Sequence, residues 1–257
     1  MALLTLITGA TSGIGRAIAK KLAGQGHNLI ITGRRETRLS ELKLELEQTF
    51  NVQVIPLAFD IRNKEEMEAK FHSLKHSWKQ IDILINNAGL ALNLNSIEEG
   101  ILAEWDQMID TNIKGFLYIT RLVASVMKQR GRGHIINIGS VAGREVYPKG
   151  NVYCATKHAV DALSKSMRID LLPFGIKVTQ VAPGAVETEF SQVRFAGNTE
   201  RAKKVYDGYK PLSGEDVAEV VAFVAGLPEH VNISDVLLMP TAQATATIFH
   251  KKTKAQQ

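Results

Sequence analysis

Thr8-Gly9-Ala10-Thr11-Ser12-Gly13-Ile14-Gly15 directly follows the apolar run that starts at Leu3, and it opens a segment of helical periodicity. A glycine-rich loop between a strand and a helix is the setting in which a dinucleotide is bound. Gly9 can make the tight turn, Gly13 leaves room for a pyrophosphate beside the backbone, and Gly15 lets the helix pack close to the sheet. The N–H groups of the first helical turn, with the helix dipole behind them, face negative charge. Thr11, Ser12 and Ile14 complete the expected cofactor loop.

Outward from this loop, short apolar runs alternate with longer periodic segments along the whole chain. That alternation predicts an α/β fold of the Rossmann type, doubly wound, with helices on both faces of a parallel sheet. Seven strands are read at about Leu3–Thr8, Asn28–Thr32, Val52–Ala58, Ile81–Asn86, His134–Gly139, Lys177–Ala182 and Val236–Met239. Helices are expected to begin near Gly13, Glu36, Lys64, Glu98, Val152 and Gly214, the last behind Ser213 and with Asp216 in its first turn. Residues 187–210 carry no strand signal and are expected to form a mobile helical insert over the site. A single domain over 1–250 is expected, with a basic tail at 251–257.

The composition of the 257 residues fits a globular protein, 45% being hydrophobic. No apolar run approaches the roughly 20 residues that span a bilayer, and the first is too short for a signal-peptide core. Cys154 is the only cysteine. It excludes an intrachain disulfide and points to a reducing compartment, here the cytoplasm. The net charge of +5 owes much to Lys251, Lys252 and Lys254 in the tail. No basic stripe interleaved with aromatics suggests nucleic acid as a partner.

About 20 residues beyond the glycine loop, folds that bind NAD place an acid for the ribose 2′-hydroxyl. Gly33-Arg34-Arg35 stands there instead. Guanidinium groups bind a 2′-phosphate that a carboxylate would repel, so NADP is the expected cofactor. Asp60, followed by Ile61, ends the third strand and can accept from the adenine amino group. Asn86-Asn87-Ala88-Gly89 ends the fourth, with Ala88 and Gly89 leaving space for the adenosine ribose and an asparagine to tie strand ends together.

Tyr153 and Lys157 are four apart on one helix and share a face. Tyr206 and Lys210 have the same spacing, but they lie in a polar stretch stopped by Pro211 and follow no strand-end serine. Ser140 closes the strand before the Tyr153 helix, so it should emerge at the carboxyl edge of the sheet. Carbonyl reduction needs a proton on oxygen as hydride reaches carbon. A phenol can deliver it if a nearby ammonium stabilises its anion, and a hydroxyl can donate to the developing alkoxide.

The order glycine-rich loop, Asn-Asn-Ala-Gly, Asn112, Ser140, Tyr153, Lys157, Pro183-Gly184 resembles the short-chain dehydrogenase/reductase family over essentially the whole chain. The resemblance implies Tyr153 as acid/base, Lys157 as its tuner and a ribose ligand, and Ser140 as donor to the substrate oxygen. It implies Asn112 as the anchor of a proton-relay water, and Pro183, Gly184, Val186 and Thr188 around the nicotinamide. Gly143-Arg144, Tyr147, Gly150-Asn151-Val152-Tyr153, the run from Glu187 to Phe195 and Leu227-Pro228-Glu229-His230-Val231-Asn232-Ile233 resemble the branch of NADP-dependent 3-hydroxy acid dehydrogenases. That branch also acts on serine and allo-threonine and reduces malonic semialdehyde. Related enzymes are usually homotetramers.

A carboxylate on the substrate would need a cation, and Arg144, in the loop after Ser140, and Arg194, in the insert, are the two candidates. His72 and His76 have metal-ligand spacing on one expected helix but no third ligand, so no metal is expected. Cys154 reads as a packing residue, and Glu187 and Glu189 as loop residues flanking Thr188. Two rival functions keep the same fold: a non-catalytic NADP-binding sensor, which has no need of Ser140, Tyr153 and Lys157 together, and a broad carbonyl or acyl-carrier-protein reductase.

Overall fold

A computed structural model describes residues 2–195 and 197–252, without the side chains of residues 202 and 203. Lys254 and the rest of the tail beyond 252 lie outside the described residues. Seven strands, β1 (Leu4–Ile7), β2 (Asn28–Gly33), β3 (Val54–Ala58), β4 (Ile83–Asn86), β5 (Gly133–Ile138), β6 (Ile176–Pro183) and β7 (Asp235–Leu238), form one sheet. Its order is β3-β2-β1-β4-β5-β6-β7, and every pairing is parallel. The order reverses between β1 and β4. Ligands on such sheets bind at that switch point, outside the carboxyl ends of the strands.

Helices α1 (Gly13–Gly24), α2 (Glu36–Thr49) and α3 (Lys64–His72) follow the first three strands. Then come α4 (Leu102–Ile109), α5 (Phe116–Arg130), α6 (Asn151–Leu171), α7 (Glu189–Arg194), α8 (Thr199–Lys204) and α9 (Gly214–Ala225). The central strands read as nearly unbroken aliphatic runs because both their faces are covered. One core packs α1, α2 and α9 against Ile7, Leu29, Ile31, Ile85 and Ile136. The other packs α3, α5 and α6 against Leu6, Ile30, Leu84, Ile135 and Val178.

Ser213 and Asp216 close a reciprocal capping box at the start of α9. The helix expected near Glu98 begins at Leu102, because Ile97–Glu99 forms a separate 3-10 turn. His72 and His76 do not share a helix: α3 ends at His72, and His76 opens a 3-10 turn, so the spacing argument dissolves. No helix among the described residues is long and apolar enough to cross a membrane.

Between α4 and α5 the chain does not break. Asp110–Gly115 is a π-helical turn, wider by one residue than the helices on either side. The insert over 187–210 carries α7 and α8. Its two ends are stitched at the base, where Glu187 N–H donates to the Leu212 carbonyl at 2.8 Å and Leu212 N–H to that of Ala185 at 3.0 Å.

Candidate active site

A cavity of about 560 Å³ opens along the carboxyl edge of the sheet and runs beneath the insert. Of the residues expected to bind cofactor or carry chemistry, all but Gly15 and Asn112 line it, and so does Arg194. Gly15 sits behind the wall, where a Cβ would overlap the Gly9 carbonyl oxygen and the Asn87 amide. Gly13, at φ +52°, faces Thr188, which would stand 3.1 Å from an added Cβ. The insert therefore begins directly over the phosphate-binding turn.

The cavity suits a phosphorylated dinucleotide. Its glycine walls hold space that any side chain would fill, and Arg34, exposed at one end, has no hydrogen-bond or ion-pair partner among the described residues. Asp60 is occupied by Arg62, whose side chain and backbone both donate to it. Those bonds hold its carboxyl below the usual range. Asn87 does the tying expected of an asparagine, donating from its side chain to the carbonyls of Thr8 and Gly9. Asn86 reaches the other way, to Thr120 and Asn137.

Asn112 lies inside the π-helical turn and is 2% exposed. Its side chain is fully employed by the protein. It accepts from Leu90 N–H at 2.9 Å, donates to the Leu90 carbonyl at 2.8 Å, and donates to Thr156 Oγ1 at 3.1 Å. It thus clamps the loop after β4 onto the turn of α6 that precedes Lys157.

Tyr153, Ser140 and Lys157 converge in the cavity wall. Burial pushes the Tyr153 phenol well above its ordinary value, with the neighbouring Tyr147 adding to the rise and Arg194 and Ser140 opposing it. The phenol is therefore held protonated at neutral pH, the form that gives up a proton. Lys157 follows one turn along the same helix. Its Nζ donates to the Ile138 carbonyl at 3.0 Å, burial lowers its pKa to about 8, and it stands 6.0 Å from the centre of the Tyr153 ring.

Arg144 is held by acids of the protein. Two acids draw it away from the cavity, Asp161 on α6 at 2.7 Å and Asp235 at the start of β7 at 2.5 Å, and it does not line the wall. Arg194 behaves in the opposite way. It lies over the rings of Tyr147 and Tyr153 and donates to the Tyr147 hydroxyl at 2.6 Å. No carboxylate among the described residues pairs with it, and its Nε is buried without a partner.

Sequence reading missed four participants. Tyr206 lines the cavity and donates to the Val186 carbonyl at 2.8 Å. Gln243 accepts from Ala185 N–H, and with Phe249 it brings the C-terminal segment into the wall. Arg38, one helical turn beyond Arg34, joins Arg35 on Glu189. The i, i+4 spacing of Arg34 and Arg38 was the signal available for the last of these.

The short chain dehydrogenase family model matches residues 4–199. The NADP-dependent 3-hydroxy acid dehydrogenase YdfG of Escherichia coli (strain K12) is 46% identical over 95% of this chain and 97% of that protein. Sulfoacetaldehyde reductase 2 of Chromohalobacter salexigens is 44% identical over 94% of this chain and 95% of that protein. Among solved structures, the closed form of serine dehydrogenase complexed with NADP+ superposes with a TM-score of 0.90 at 45% identity, covering 98% of this chain and all of that one. With the glycine loop, strand-end serine and Tyr-Lys pair in one cavity, and the family matched over more than half its length, this chain belongs to the short-chain dehydrogenases.

Proposed function

We propose that the protein is an NADP-dependent oxidoreductase that interconverts the 3-hydroxy and 3-oxo forms of a small acid, such as 3-hydroxypropionate and malonic semialdehyde, or the hydroxyl of serine or allo-threonine. The observation that carries this reading is Arg194, a guanidinium without an acidic partner among the described residues, held over the Tyr153 ring. A planar guanidinium binds a carboxylate through two parallel hydrogen bonds, which fixes the distance and direction of the reacting carbon. A sulfonate offers the same acceptors, and one relative is a sulfoacetaldehyde reductase.

In reduction, bound NADPH supplies the hydride to the carbonyl carbon. Tyr153 delivers its phenolic proton to the carbonyl oxygen, and the Ser140 hydroxyl donates to the same oxygen as charge builds there. Lys157, buried one turn along α6, is placed to hold a ribose and to place positive charge behind the phenol as it loses its proton. Arg34 and Arg35 are the cations for the 2′-phosphate, and Gly9 to Gly15 the pyrophosphate turn. Val186, Thr188, Pro183 and Gly184 border the nicotinamide end. A sensor without chemistry would have no use for this set of three polar groups on one point of the wall.

Exposed apolar side chains at Ile169 and Leu172 by the end of α6, and at Phe223 and Leu237 on α9 and β7, support self-association, with a homotetramer the expected form. A cytoplasmic setting fits a lone, buried cysteine.

The test measures NADPH oxidation with malonic semialdehyde and sulfoacetaldehyde against propanal, and NADP reduction with serine. An acid aldehyde favoured by about tenfold or more in kcat/KM is expected from one guanidinium contact. Equal rates with propanal would leave only a general reductase.

A further inference from the structure

Glu189 opens α7, the first helix of the insert, yet its carboxylate reaches across the cavity mouth to the turn after β2. One oxygen lies 3.0 Å from Arg35 Nη1, and both are within 3.0 Å of Arg38 Nη1. The rest of the Arg35 guanidinium folds back onto the glycine loop. Its Nη2 is 2.8 Å from both Thr11 Oγ1 and Ser12 Oγ, and its Nε donates to Thr11. Two guanidiniums thus grip one anion that belongs to the protein, and two hydroxyls of the glycine loop hold the other edge of Arg35.

This is the donor set a phosphate monoester would need, and on the proposed reading it is where the 2′-phosphate of NADP must arrive. That phosphate carries close to two negative charges at neutral pH and offers three acceptor oxygens. It cannot share Arg35 with a carboxylate at 3 Å without repulsion, and the stronger anion takes the cation. We infer that Glu189 is an internal competitor for the 2′-phosphate site, so that NADP binding unfastens α7 from Arg35 and Arg38. A cofactor lacking the phosphate has no means of doing so.

The consequence is a coupling between two steps. Thr188, the residue before Glu189, faces Gly13 across the phosphate turn, and Arg194 lies at the other end of α7. Displacing Glu189 therefore acts on the helix that carries the proposed substrate guanidinium. Attraction of the 2′-phosphate by Arg34 and Arg35 would then be partly offset by the cost of breaking the Glu189 pairs, and only the phosphorylated cofactor would trigger the release of the segment. The inference rests on the 2′-phosphate lying at Arg35, and it does not depend on which acid is the substrate.

The test uses 2′,5′-ADP and 5′-AMP, which differ in the phosphate alone, titrated calorimetrically against wild type and Glu189→Gln. The amide keeps the shape of the side chain and removes its charge. Loss of an exposed competing ion pair should tighten 2′,5′-ADP by roughly three- to tenfold while leaving 5′-AMP within about twofold. Hydrogen exchange supplies a readout free of catalysis: in wild type, 2′,5′-ADP should change the protection of residues 189–195, and in Glu189→Gln those amides should already exchange at the altered rate. Unchanged or weaker binding of 2′,5′-ADP by the variant overturns the inference, as does a wild-type α7 that does not respond to the ligand. Failure of 2′,5′-ADP to outbind 5′-AMP in wild type would instead remove the cofactor reading beneath it.

Discussion

The guanidinium carbon of Arg194 stands 5.5 Å from the centre of the Tyr153 ring, closer than the Lys157 ammonium at 6.0 Å. One cation comes from the insert, and the other comes from the same helix as the tyrosine and donates to the Ile138 carbonyl of the sheet. Arg194→Gln should therefore lower kcat/KM for malonic semialdehyde by roughly tenfold to a hundredfold, the worth of a charge-assisted contact, and lower it far less for propanal. Parallel kinetics with the two aldehydes check this. Equal losses would assign Arg194 to packing against Tyr147.

Tyr153→Phe should fold and bind NADPH but lose the roughly 10²–10⁴-fold credited to general acid catalysis. Tyr206→Phe removes a hydroxyl that bonds to Val186 and Ser191 and touches no expected reaction centre. Its expected cost is about 1 kcal/mol of stability with the chemical step retained. Single-turnover hydride transfer and thermal melts of both variants separate the two outcomes, and an equal kinetic loss in both would mean that the wrong tyrosine has been chosen.

Arg144→Ala should leave acid selectivity unchanged and reduce stability. Asp161 and Asp235 would lose a partner they share, and partly buried pairs broken from one side cost about 1–3 kcal/mol. Denaturant melts together with the malonic semialdehyde to propanal ratio test it. A changed ratio would return Arg144 to the substrate.

Acid should weaken the fold before the carboxylates titrate. Burial lowers the pKa of His134 to about 3, with Lys177 contributing, against 6.5 for the free side chain. Below pH 6.5 the unfolded chain gains a proton that the folded chain refuses, so stability is lost as pH falls from 6.5 toward 3, at about 1.4 kcal/mol per unit. His27, also lowered by burial, acts with the same sign. His134→Gln can keep the donor to Thr179 and should flatten the decline between pH 6.5 and 5 in urea melts; an unaltered slope would place the acid sensitivity elsewhere.

Much of this was legible because strong local signals agreed with the tertiary outcome. The aliphatic runs through Ile7, Ile31 and Ile85 could be buried only as central strands, and Ser213 with Asp216 marked a helix start by hydrogen bonding that needs no distant partner. Tyr153 and Tyr206 both line the cavity, and only the first follows a strand-end serine. What the sequence left unread shares a different cause. Arg144 and Arg194 look alike in sequence, and what divides them is the pair Asp161 and Asp235, the latter 91 residues away in the chain. Glu189 was set aside as a loop residue because its partners lie on the far side of the cavity. Long-range charge pairing leaves no periodicity to read, and neither does the return of Gln243 and Phe249 to the wall.

The π-helical turn at Asp110–Gly115 implies that part of this site is specified by counting. Deleting one residue between Leu102 and Gly115 would let the turn relax into ordinary helix, and each residue of an α-helix advances the next by about 100°. Asn112 would then swing off Leu90 and Thr156 although no side chain in the cavity had been altered. A composition that preserves every polar group can therefore still lose the clamp on α6, and insertions or deletions in this stretch should be tolerated less well than substitutions are.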